Sequence, residues 1–242
     1  MKVLVVGGSS GIGLSIVLEL CGRDECEKVY VVDKAPVPTE YADAKVDYHF
    51  CDLSQGDSSV FENIEDIQAL YITAGFGKLA FFQDLTDEYI HNILSVNAEA
   101  PIKIIRHYYD KLLSEKDFYC SVMVSIAARL SSPLFSVYSA TKAALSKFIE
   151  AVNVELDVQG SKNRILEVSP GSLKGTGFTG GLSHPELTKE LAKEIIDKAT
   201  KQEELFIPQY EEVYKTVIER YHRNAHQFGV ESFQYKKKQG RF

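Results

Sequence analysis

The fold is decided near the N-terminus, by a stretch that reads VLVVGGSSGIG from Val3 to Gly13. Its four leading apolar residues predict a strand buried on both faces. The glycines predict a tight turn, because glycine adopts positive φ and lets another backbone approach closely. The apolar residues from Leu14 to Leu20 then predict a helix. A helix that starts at such a turn offers backbone N–H groups and the positive end of its dipole, which attract a pyrophosphate.

Strands and helices alternate over the first two-thirds of the chain. The strand candidates are short and continuously apolar, which is typical of strands buried on both faces of a parallel sheet. They are Lys2–Val6, Lys28–Asp33, Asp47–Cys51, Ala69–Thr73, Tyr119–Ile126 and Arg164–Ser169. Helices are predicted at Ile12–Cys21, Asp87–Leu113 and Tyr138–Asp157. This order favours right-handed crossovers and an α/β fold with a doubly wound parallel sheet between two helical layers.

The chain changes character after Gly171. Glycines become frequent, at Gly175, Gly177, Gly180 and Gly181. They predict a mobile loop over Ser172–Leu182. Three elements are predicted beyond it: helices at Pro185–Thr200 and Glu211–His226, and a short strand at Glu204–Ile207. The tail Tyr235–Phe242 contains three consecutive lysines and is expected to be a loose, solvated end.

Length and composition fit one domain. The chain has 242 residues, 45% hydrophobic and 25% charged, which supports a large core and argues against disordered, collagen-like and disulfide-scaffold proteins. With 27 Lys and Arg against 34 Asp and Glu, the net charge is −7, which argues against a general nucleic-acid binder. No repeat or flexible linker divides the chain. We therefore expect a single domain over residues 1–242, with a core at 1–180 and a C-terminal segment at 181–242.

The cysteines and histidines follow no metal-binding pattern. The cysteines are Cys21, Cys26, Cys51 and Cys120. None belongs to a CxxC pair and no histidine lies at zinc-ligand spacing, so we predict reduced thiols and no metal. The N-terminal apolar run is too short for a signal sequence, and no stretch approaches the roughly 20 apolar residues that span a bilayer. These patterns predict a cytoplasmic protein without a membrane partner.

An acidic residue ends the second predicted strand. Asp33 lies 20 residues beyond Gly13, at a spacing where a carboxylate accepts hydrogen bonds from an adenosine ribose and repels a 2′-phosphate. Lys34 offsets part of that repulsion. The pattern favours NAD over NADP, and the alternative is a turn residue that merely ends the strand.

Four polar residues form a candidate catalytic set. Tyr138 and Lys142 are four residues apart at the start of a predicted helix, which places both side chains on one face. An ammonium near a phenol lowers the phenol pKa from about 10, and such a phenol can exchange a proton with a carbonyl or alcohol oxygen. Ser125 follows a predicted strand and can hold that oxygen. Asn97 lies among apolar residues, where an amide costs stability unless it is bonded.

With these residues in this order, the chain resembles the short-chain dehydrogenase/reductase family over about residues 1–180. The motifs that carry the resemblance are Gly7-x-x-x-Gly11-x-Gly13, Cys51-Asp52-Leu53, Thr73-Ala74-Gly75, Asn97, Ser125, Tyr138-x-x-x-Lys142 and Pro170-Gly171. The resemblance implies a single Rossmann-fold domain with three αβα layers. It also implies hydride transfer between a nicotinamide dinucleotide and a small alcohol or carbonyl substrate.

The resemblance implies a role for each matching residue. Tyr138 would be the general acid/base, and Lys142 would bind the nicotinamide ribose and lower the Tyr138 pKa. Ser125 would hold the substrate oxygen, Asn97 would position a water beside Lys142, and Asp52 would bind the adenine. The full cofactor-binding set would be Gly7, Ser9, Ser10, Gly11, Ile12, Gly13, Asp33, Asp52, Leu53, Ala74, Gly75, Tyr138, Lys142, Pro170, Gly171 and Leu173.

The chain departs from the family's pattern in several places. Val6 and Thr73 stand where the family usually has Thr and Asn, and we expect both changes to be tolerated. Thr176 comes one position later than the family's usual Thr. Arg129 replaces a small residue and either meets an anionic or sugar hydroxyl group or, as we favour, forms a surface ion pair. The C-terminal segment lacks the family's closing strand, which puts the family's tetramer in question.

Each of two sets of apolar side chains has two possible locations. The helix at Tyr138–Asp157 carries a stripe of Ala140, Ala144, Phe148, Val152 and Leu156. This stripe packs either in the core or against a second copy in a homodimer. Five phenylalanines fall near the expected pocket, namely Phe76, Phe81, Phe82, Phe135 and Phe178. They either border the substrate or, as we favour, belong to the core.

The sequence thus predicts an NAD-preferring oxidoreductase for a secondary alcohol or ketone. The alternative is a dinucleotide-binding sensor or scaffold without turnover, which the atypical C-terminal segment suggests. A sugar-nucleotide epimerase is disfavoured because only 71 residues follow Gly171. An enoyl reductase is disfavoured because it usually has a wider gap between Tyr and Lys.

Overall fold

The strands form one parallel sheet, as predicted. The computed structural model describes residues 1–57, 59–176, 178 and 183–239. The strands are β1 (Lys2–Val6), β2 (Lys28–Asp33), β3 (Val46–Phe50), β4 (Ala69–Ile72), β5 (Tyr119–Met123), β6 (Ile165–Val168) and β7 (Leu205–Phe206). Their order in the sheet is β3-β2-β1-β4-β5-β6-β7. The order reverses between β1 and β4, and at such a point the carboxyl ends of the strands leave a crevice for a ligand.

Helices cover both faces of the sheet. They are α1 (Gly11–Cys21), α2 (Asp87–Leu94), α3 (Ala100–His107), α4 (Tyr109–Leu113), α5 (Ser136–Val158), α6 (Lys189–Thr200), α7 (Lys215–Arg223) and α8 (Ala225–Lys238). One apolar core joins the sheet to α1 and α6, and a second joins it to α3, α4 and α5. The predicted doubly wound α/β fold is confirmed. No helix in the described ranges is both long and apolar enough to cross a bilayer.

The predicted helix Asp87–Leu113 is interrupted. A wide turn of the π type, Ser95–Glu99, separates α2 from α3. Pro101 has no N–H to donate to the carbonyl of Asn97 four residues earlier, so regular α-helical bonding cannot continue there. The periodicity of apolar residues does not reveal this break, although the proline marks it.

Strand β5 is shorter than the predicted Tyr119–Ile126. It ends at Met123 because the backbone leaves the sheet at Ser125, whose Oγ accepts a hydrogen bond from the N–H of Ala127 over 3.1 Å. A short 3₁₀ turn, Ile126–Ala128, follows. The early strand end places Ser125 at the crevice.

The C-terminal segment matches its prediction as far as β7 and differs beyond it. The helix predicted at Glu211–His226 ends at Arg223, because Asn224 leaves the helical conformation and its side chain accepts the N–H of Gln227 over 3.0 Å. A further helix, α8, then runs to Lys238. The expected loose tail was therefore wrong as far as Gln239, residues 240–242 lying outside the described ones, and Lys236 is buried, with 7% of its surface exposed.

The apolar stripe on α5 lies only partly in the core. Val152 and Leu156 are buried in the core, whereas Ala140 and Ala144 are exposed and Phe148 is half-buried. On the same helix, the apolar side chains of Val154 and Val158 are also exposed.

Candidate active site

A cavity of about 670 Å³ lies at the crevice between the strand ends. It is lined by most of the residues that the sequence predicts. These are Gly7, Ser10, Gly11, Ile12, Gly13, Asp33, Asp52, Leu53, Ala74, Gly75, Ser125, Tyr138, Lys142, Pro170, Gly171 and Leu173. Two predicted residues, Ser9 and Asn97, are absent from the lining, and both are buried behind it.

The glycine turn is closed by contacts that leave no room for side chains. Gly7 has a φ of +86°, and a Cβ there would overlap the backbone N of Ala74. A Cβ on Gly13 would overlap the carbonyl oxygen of Gly7. The Thr73 hydroxyl donates to the carbonyls of Val6 and Gly7, each over 3.0 Å. Thr73 therefore braces the turn.

The Asp33 carboxylate is fixed at the end of β2. One of its oxygens accepts the N–H of Ser9 over 3.0 Å, and the other accepts the N–H of Ala35 over 3.2 Å. Ser9 therefore positions Asp33 from behind the cavity wall. The neighbouring Lys34 also lines the cavity, so the carboxylate and the ammonium both border this end.

Asp52 is held as a charged group beside β3. Its Oδ1 accepts the N–H of Ser54 over 3.0 Å and the Ser54 hydroxyl over 2.8 Å. These hydrogen bonds stabilise the carboxylate and lower the pKa of Asp52. Asp52, Leu53 and Ser54 together form one wall of the cavity.

Tyr138 lies at the other end of the cavity, on the first turn of α5. Burial raises the pKa of its phenol, and a hydrogen bond with the Ser125 side chain opposes that rise. The Tyr138 ring packs against Phe135 and Phe178, with centroid distances of 5.1 and 5.2 Å. The phenol is therefore largely buried and hydrogen-bonded with Ser125.

Lys142 lies one turn along α5 from Tyr138. Its Nζ donates to the carbonyl of Met123 over 2.8 Å and lies 5.9 Å from the centre of the Tyr138 ring. Burial lowers the pKa of Lys142 to about 8. The pKa of Tyr138 is raised rather than lowered in this arrangement, so its depression by Lys142 stays a prediction.

Asn97 supports the site from the π turn. Its amide N donates to the carbonyl of Phe76 over 2.8 Å, and its Oδ1 accepts the N–H of Phe76 over 3.0 Å. A Cβ on Gly75 would lie 3.3 Å from both Asn97 Oδ1 and Lys142 Nζ. Asn97 and Lys142 thus flank Gly75. The two hydrogen bonds with Phe76 agree with the expectation that the buried amide is bonded.

Arg129 pairs with a buried carboxylate instead of a surface one. Its Nη1 donates to Glu167 Oε1 over 2.5 Å and to the Ser169 hydroxyl over 3.1 Å. Glu167 lies on β6 and is 4% exposed. Its other oxygen accepts the Ser146 hydroxyl of α5 over 2.8 Å. The sequence prediction of a surface pair was wrong, because it did not identify Glu167 as the partner.

The segment after Gly171 reaches the glycine turn. Gly11 N donates to Ser183 Oγ over 2.7 Å, and Thr176 pairs with Ser183 in an isolated bridge. Thr176 also lines the cavity. Within the predicted loop, three of the four glycines that suggested it (Gly177, Gly180 and Gly181) lie outside the described residues. No local pattern in the sequence singled out Ser183.

Two residues of the C-terminal segment also reach the site unpredicted. A Cβ on Gly171 would overlap the hydroxyl of Tyr214, so Tyr214 packs directly on the Pro170-Gly171 backbone. Lys236 lines the cavity itself. Both contacts join residues far apart in the chain, and the three-lysine run did not distinguish Lys236 from its neighbours.

The phenylalanines divide between cavity and surface. Phe76, Phe135 and Phe178 line the cavity. Phe81 and Phe82 are 47% and 67% exposed, and the Phe81 ring lies 6.0 Å from that of Phe233 on α8. The favoured core interpretation therefore does not hold for any of these five positions.

The cysteines are unpaired with one another, and the described acidic groups form no metal-binding cluster. All four cysteines are free thiols. Among the described residues, no group of three or more His, Cys, Asp or Glu side chains could hold a metal ion.

Sequence comparisons relate the chain to a known family of proteins. A model of the family described as short chain dehydrogenase matches residues 1–187. The chain is 27% identical to the uncharacterized oxidoreductase TDA5 of Saccharomyces cerevisiae over 74% of this chain and 57% of that protein. It is 29% identical to the uncharacterized short-chain type dehydrogenase/reductase y4eK of Sinorhizobium fredii, over 78% of this chain and 76% of that protein. The chain thus spans little more than half the length of the yeast relative.

A solved structure shares the fold. The alcohol dehydrogenase from the archaeon Thermococcus sibiricus, complexed with 5-hydroxy-NADP, superposes with a TM-score of 0.71 and 21% identity. The superposition covers 85% of this chain and 94% of that one.

Proposed function

The chain belongs to the short chain dehydrogenase family, and on that premise we propose that it transfers hydride between NAD and a secondary alcohol or ketone. The family is one of oxidoreductases that use NAD(P). The observation that carries the proposal is that Tyr138, Ser125 and Lys142 line the same cavity as the glycine turn. The proposed proton-transferring group and the proposed dinucleotide cradle then share one cavity.

The residues present fit a dinucleotide. Side chains on Gly7 or Gly13 would overlap the backbone, so the glycines let the turn pack closely at the N-terminus of α1, whose dipole and N–H groups favour a pyrophosphate. Asp52 and Leu53 would hold the adenine. The rest of the proposed set is Ser10, Gly11, Ile12, Ala74, Gly75, Lys142, Pro170, Gly171 and Leu173, with Ser9 bracing Asp33. The nicotinamide, when bound, accepts or supplies the hydride.

The fixed carboxylate of Asp33 supports NAD as the preferred cofactor. A charged group held by Ser9 and Ala35 cannot easily turn away from a 2′-phosphate. Lys34 borders the same end and offsets part of the repulsion. The Thermococcus enzyme is complexed with an NADP derivative. Titration of this protein with both NADH and NADPH therefore tests the proposed preference.

The chain's own residues handle the proton. In the reducing direction, Tyr138 donates its proton to the substrate oxygen, and in the oxidising direction the phenolate accepts it. The Ser125 hydroxyl holds that oxygen next to the phenol. The positive charge of Lys142 favours the phenolate, and Asn97 holds the Phe76 backbone beside Lys142. The rings of Phe135 and Phe178 pack on Tyr138 and hold its ring in place.

The test is Tyr138→Phe. General acid/base catalysis contributes about 10²- to 10⁴-fold, so kcat should fall by that factor while NADH still binds. Tyr235→Phe is the control, because this tyrosine is 60% exposed on α8 and its variant should behave as the wild type. Full turnover by Tyr138→Phe on any alcohol or ketone would refute the proposed proton role. NADH binding without turnover of any alcohol or ketone would instead favour a sensor without chemistry.

We also propose a homodimer formed through α5, in a cytoplasmic setting. Ala140 and Ala144 on this helix are exposed, as are Val154 and Val158. Ala144→Arg should therefore yield monomers in sedimentation velocity, whereas Ala42→Arg, at another exposed alanine, should not. A monomeric wild type at micromolar concentration would contradict the proposal.

A further inference from the structure

Tyr214 of the C-terminal segment supports the cavity wall at Gly171. A Cβ on Gly171 would overlap the hydroxyl of Tyr214 and the ring carbon that carries it, so the phenol packs directly on the Gly171 backbone. Gly171 lines the cavity, whereas Tyr214 is not among the described residues that line it. The phenol therefore lies against this part of the wall from outside the cavity.

The backbone around Tyr214 holds the phenol in this place. Tyr214 ends the π turn Tyr210–Tyr214, and the N–H groups of Val213 and Tyr214 both donate to the carbonyl of Gln209, over 2.9 and 3.2 Å. Gln209 has a φ of +59°. This left-handed conformation is unfavourable for a residue with a Cβ and persists only where the surrounding structure favours it. The position of Tyr214 is therefore set by its own turn.

The segment that carries Tyr214 contacts the chain on both sides of Pro170. The N–H of Ser169 donates to the carbonyl of Phe206 in β7 over 2.8 Å. The same segment then returns to the wall at Tyr214, which packs on Gly171. The stretch from Ser169 to Gly171 is thus fixed at one end by a hydrogen bond and at the other end by a phenol.

The Pro170-Gly171 backbone lies at the catalytic end of the cavity. The N–H of Ile126, the residue after Ser125, donates to the carbonyl of Pro170 over 3.0 Å, and Ser125 is hydrogen-bonded with Tyr138. A ring that transfers hydride to a carbon held there must approach it to about 3–3.5 Å. A bound nicotinamide therefore has to lie near the wall that Gly171 forms.

We propose that Tyr214 is a positioning residue for the nicotinamide, because its phenol sets the place of the Pro170-Gly171 backbone beside which the ring binds. The inference rests on the proposed function, since it needs a nicotinamide in this cavity. The Tyr214 hydroxyl has no hydrogen-bond partner among the described residues. It therefore acts on Gly171 through the space that it fills.

The test compares NADH with ADP-ribose, which has the adenosine and the pyrophosphate but no nicotinamide. Isothermal titration calorimetry measures both Kd values without turnover. Tyr214→Phe leaves a gap at Gly171 and should raise the Kd for NADH about three- to tenfold. The Kd for ADP-ribose should stay unchanged. Gly171→Ala overpacks the same contact and should raise the Kd for NADH about tenfold or more.

The double variant tests whether the two residues share one space. The methyl group that Gly171→Ala adds would occupy the place that Tyr214→Phe vacates. The double variant should therefore bind NADH more tightly than Gly171→Ala alone. Tyr210→Phe is the control, because this tyrosine lies on the same π turn and is 39% exposed. Its variant should bind NADH and ADP-ribose as the wild type does.

Three results would overturn the proposal. An equal rise of the Kd for NADH and for ADP-ribose in Tyr214→Phe would mean that the phenol only stabilises the fold. An unchanged Kd for NADH would mean that the phenol does not affect the nicotinamide. A double variant that binds NADH more weakly than either single variant would mean that the two groups do not compete for one space.

Amide exchange without nucleotide distinguishes this inference from the proposed function. Tyr214→Phe should speed the exchange of the Ile126 amide, which is bonded to Pro170, about threefold or more. Exchange of the Thr73 amide, bonded to the carbonyl of Val6 over 2.8 Å, should not change. These results, with the expected Kd values, would support the role of Tyr214 even if no alcohol or ketone were turned over. Turnover that continues with unchanged exchange and unchanged Kd values in Tyr214→Phe would leave the proposed function standing and refute that role.

Discussion

Arg129 Nη1 lies 2.5 Å from Glu167 Oε1, in an ion pair that ties the turn after Ser125 to strand β6. The Glu167 side chain is 5% exposed and that of Arg129 is 25% exposed. Hydrogen bonds with Ser146 and Ser169 complete the bonding of the carboxylate. Ser169 directly precedes Pro170-Gly171, so one buried carboxylate connects the turn after Ser125, the loop after β6 and helix α5.

Glu167→Gln should destabilise the protein. The change leaves the Arg129 guanidinium partly buried without its counter-charge, and breaking a fully buried pair costs about 3–5 kcal/mol. Because Arg129 retains some access to solvent, we expect a loss of about 2 kcal/mol, measured by urea unfolding. Glu150→Gln is the matched control, since that carboxylate is 65% exposed in its pair with Lys147, and it should change little. Equal stability of Glu167→Gln and the wild type would contradict the structural role of the pair.

Gly171→Ala should disturb the C-terminal segment. The new Cβ would overlap the Tyr214 hydroxyl, and overpacking of this kind costs about 1–3 kcal/mol. Combining it with Tyr214→Ala should recover part of the loss, which a thermodynamic cycle of unfolding energies measures. Gly229→Ala on α8 is the control, because the nearest atom to its Cβ lies 3.6 Å away. Strictly additive losses in the cycle would show that Tyr214 does not cover Gly171.

The parts of the site that the sequence predicts are local. The glycine turn, Asp33 at a strand end, and Tyr138 with Lys142 on one helical face each depend on neighbours within a few residues. Backbone chemistry and helical spacing favour these local arrangements, and contacts with more distant residues, such as Thr73 with Gly7, hold them in the folded chain. The alternation of apolar strands and helices predicts the sheet for the same reason.

The parts that the sequence does not predict depend on distant contacts. Lys236 and Ser132 are 104 residues apart, and Arg129 and Glu167 are 38 residues apart. A lysine in a run of three, or a glutamate inside a strand, has no local feature that names its partner. The π turn at Asn97 is an intermediate case, since Pro101 marks a break without giving its geometry.

Asp33→Asn should weaken the discrimination between cofactors. Asn has nearly the same shape and can still accept one backbone N–H, but it has no charge to repel a 2′-phosphate. We expect the ratio of the Kd for NADPH to the Kd for NADH to fall at least tenfold, about 1.4 kcal/mol, in a fluorescence titration with both nucleotides. Asp52→Asn should weaken the binding of NADH and NADPH by the same factor. Tighter binding of NADPH than NADH by the wild type would contradict the role of Asp33.

Lys142 should make the free energy of unfolding depend on pH above about pH 8. Burial lowers its pKa to about 8, whereas an unfolded lysine titrates near 10.4. Between these pH values the unfolded chain holds a proton that the folded chain has released, so this residue makes stability rise with pH. Below about pH 7 both states are protonated, and the cost of the buried charge is constant.

Lys142→Met removes that dependence. The free energy of unfolding of the wild type, minus that of the variant, should increase by up to about 1.4 kcal/mol per pH unit from pH 8 to 10. Urea unfolding without nucleotide at closely spaced pH values measures the difference. Lys147 is 75% exposed on the same helix. The free energy of unfolding of Lys147→Met should therefore change with pH in the same way as that of the wild type. A constant difference between wild type and Lys142→Met from pH 7 to 10 would mean that the ammonium is not desolvated by burial.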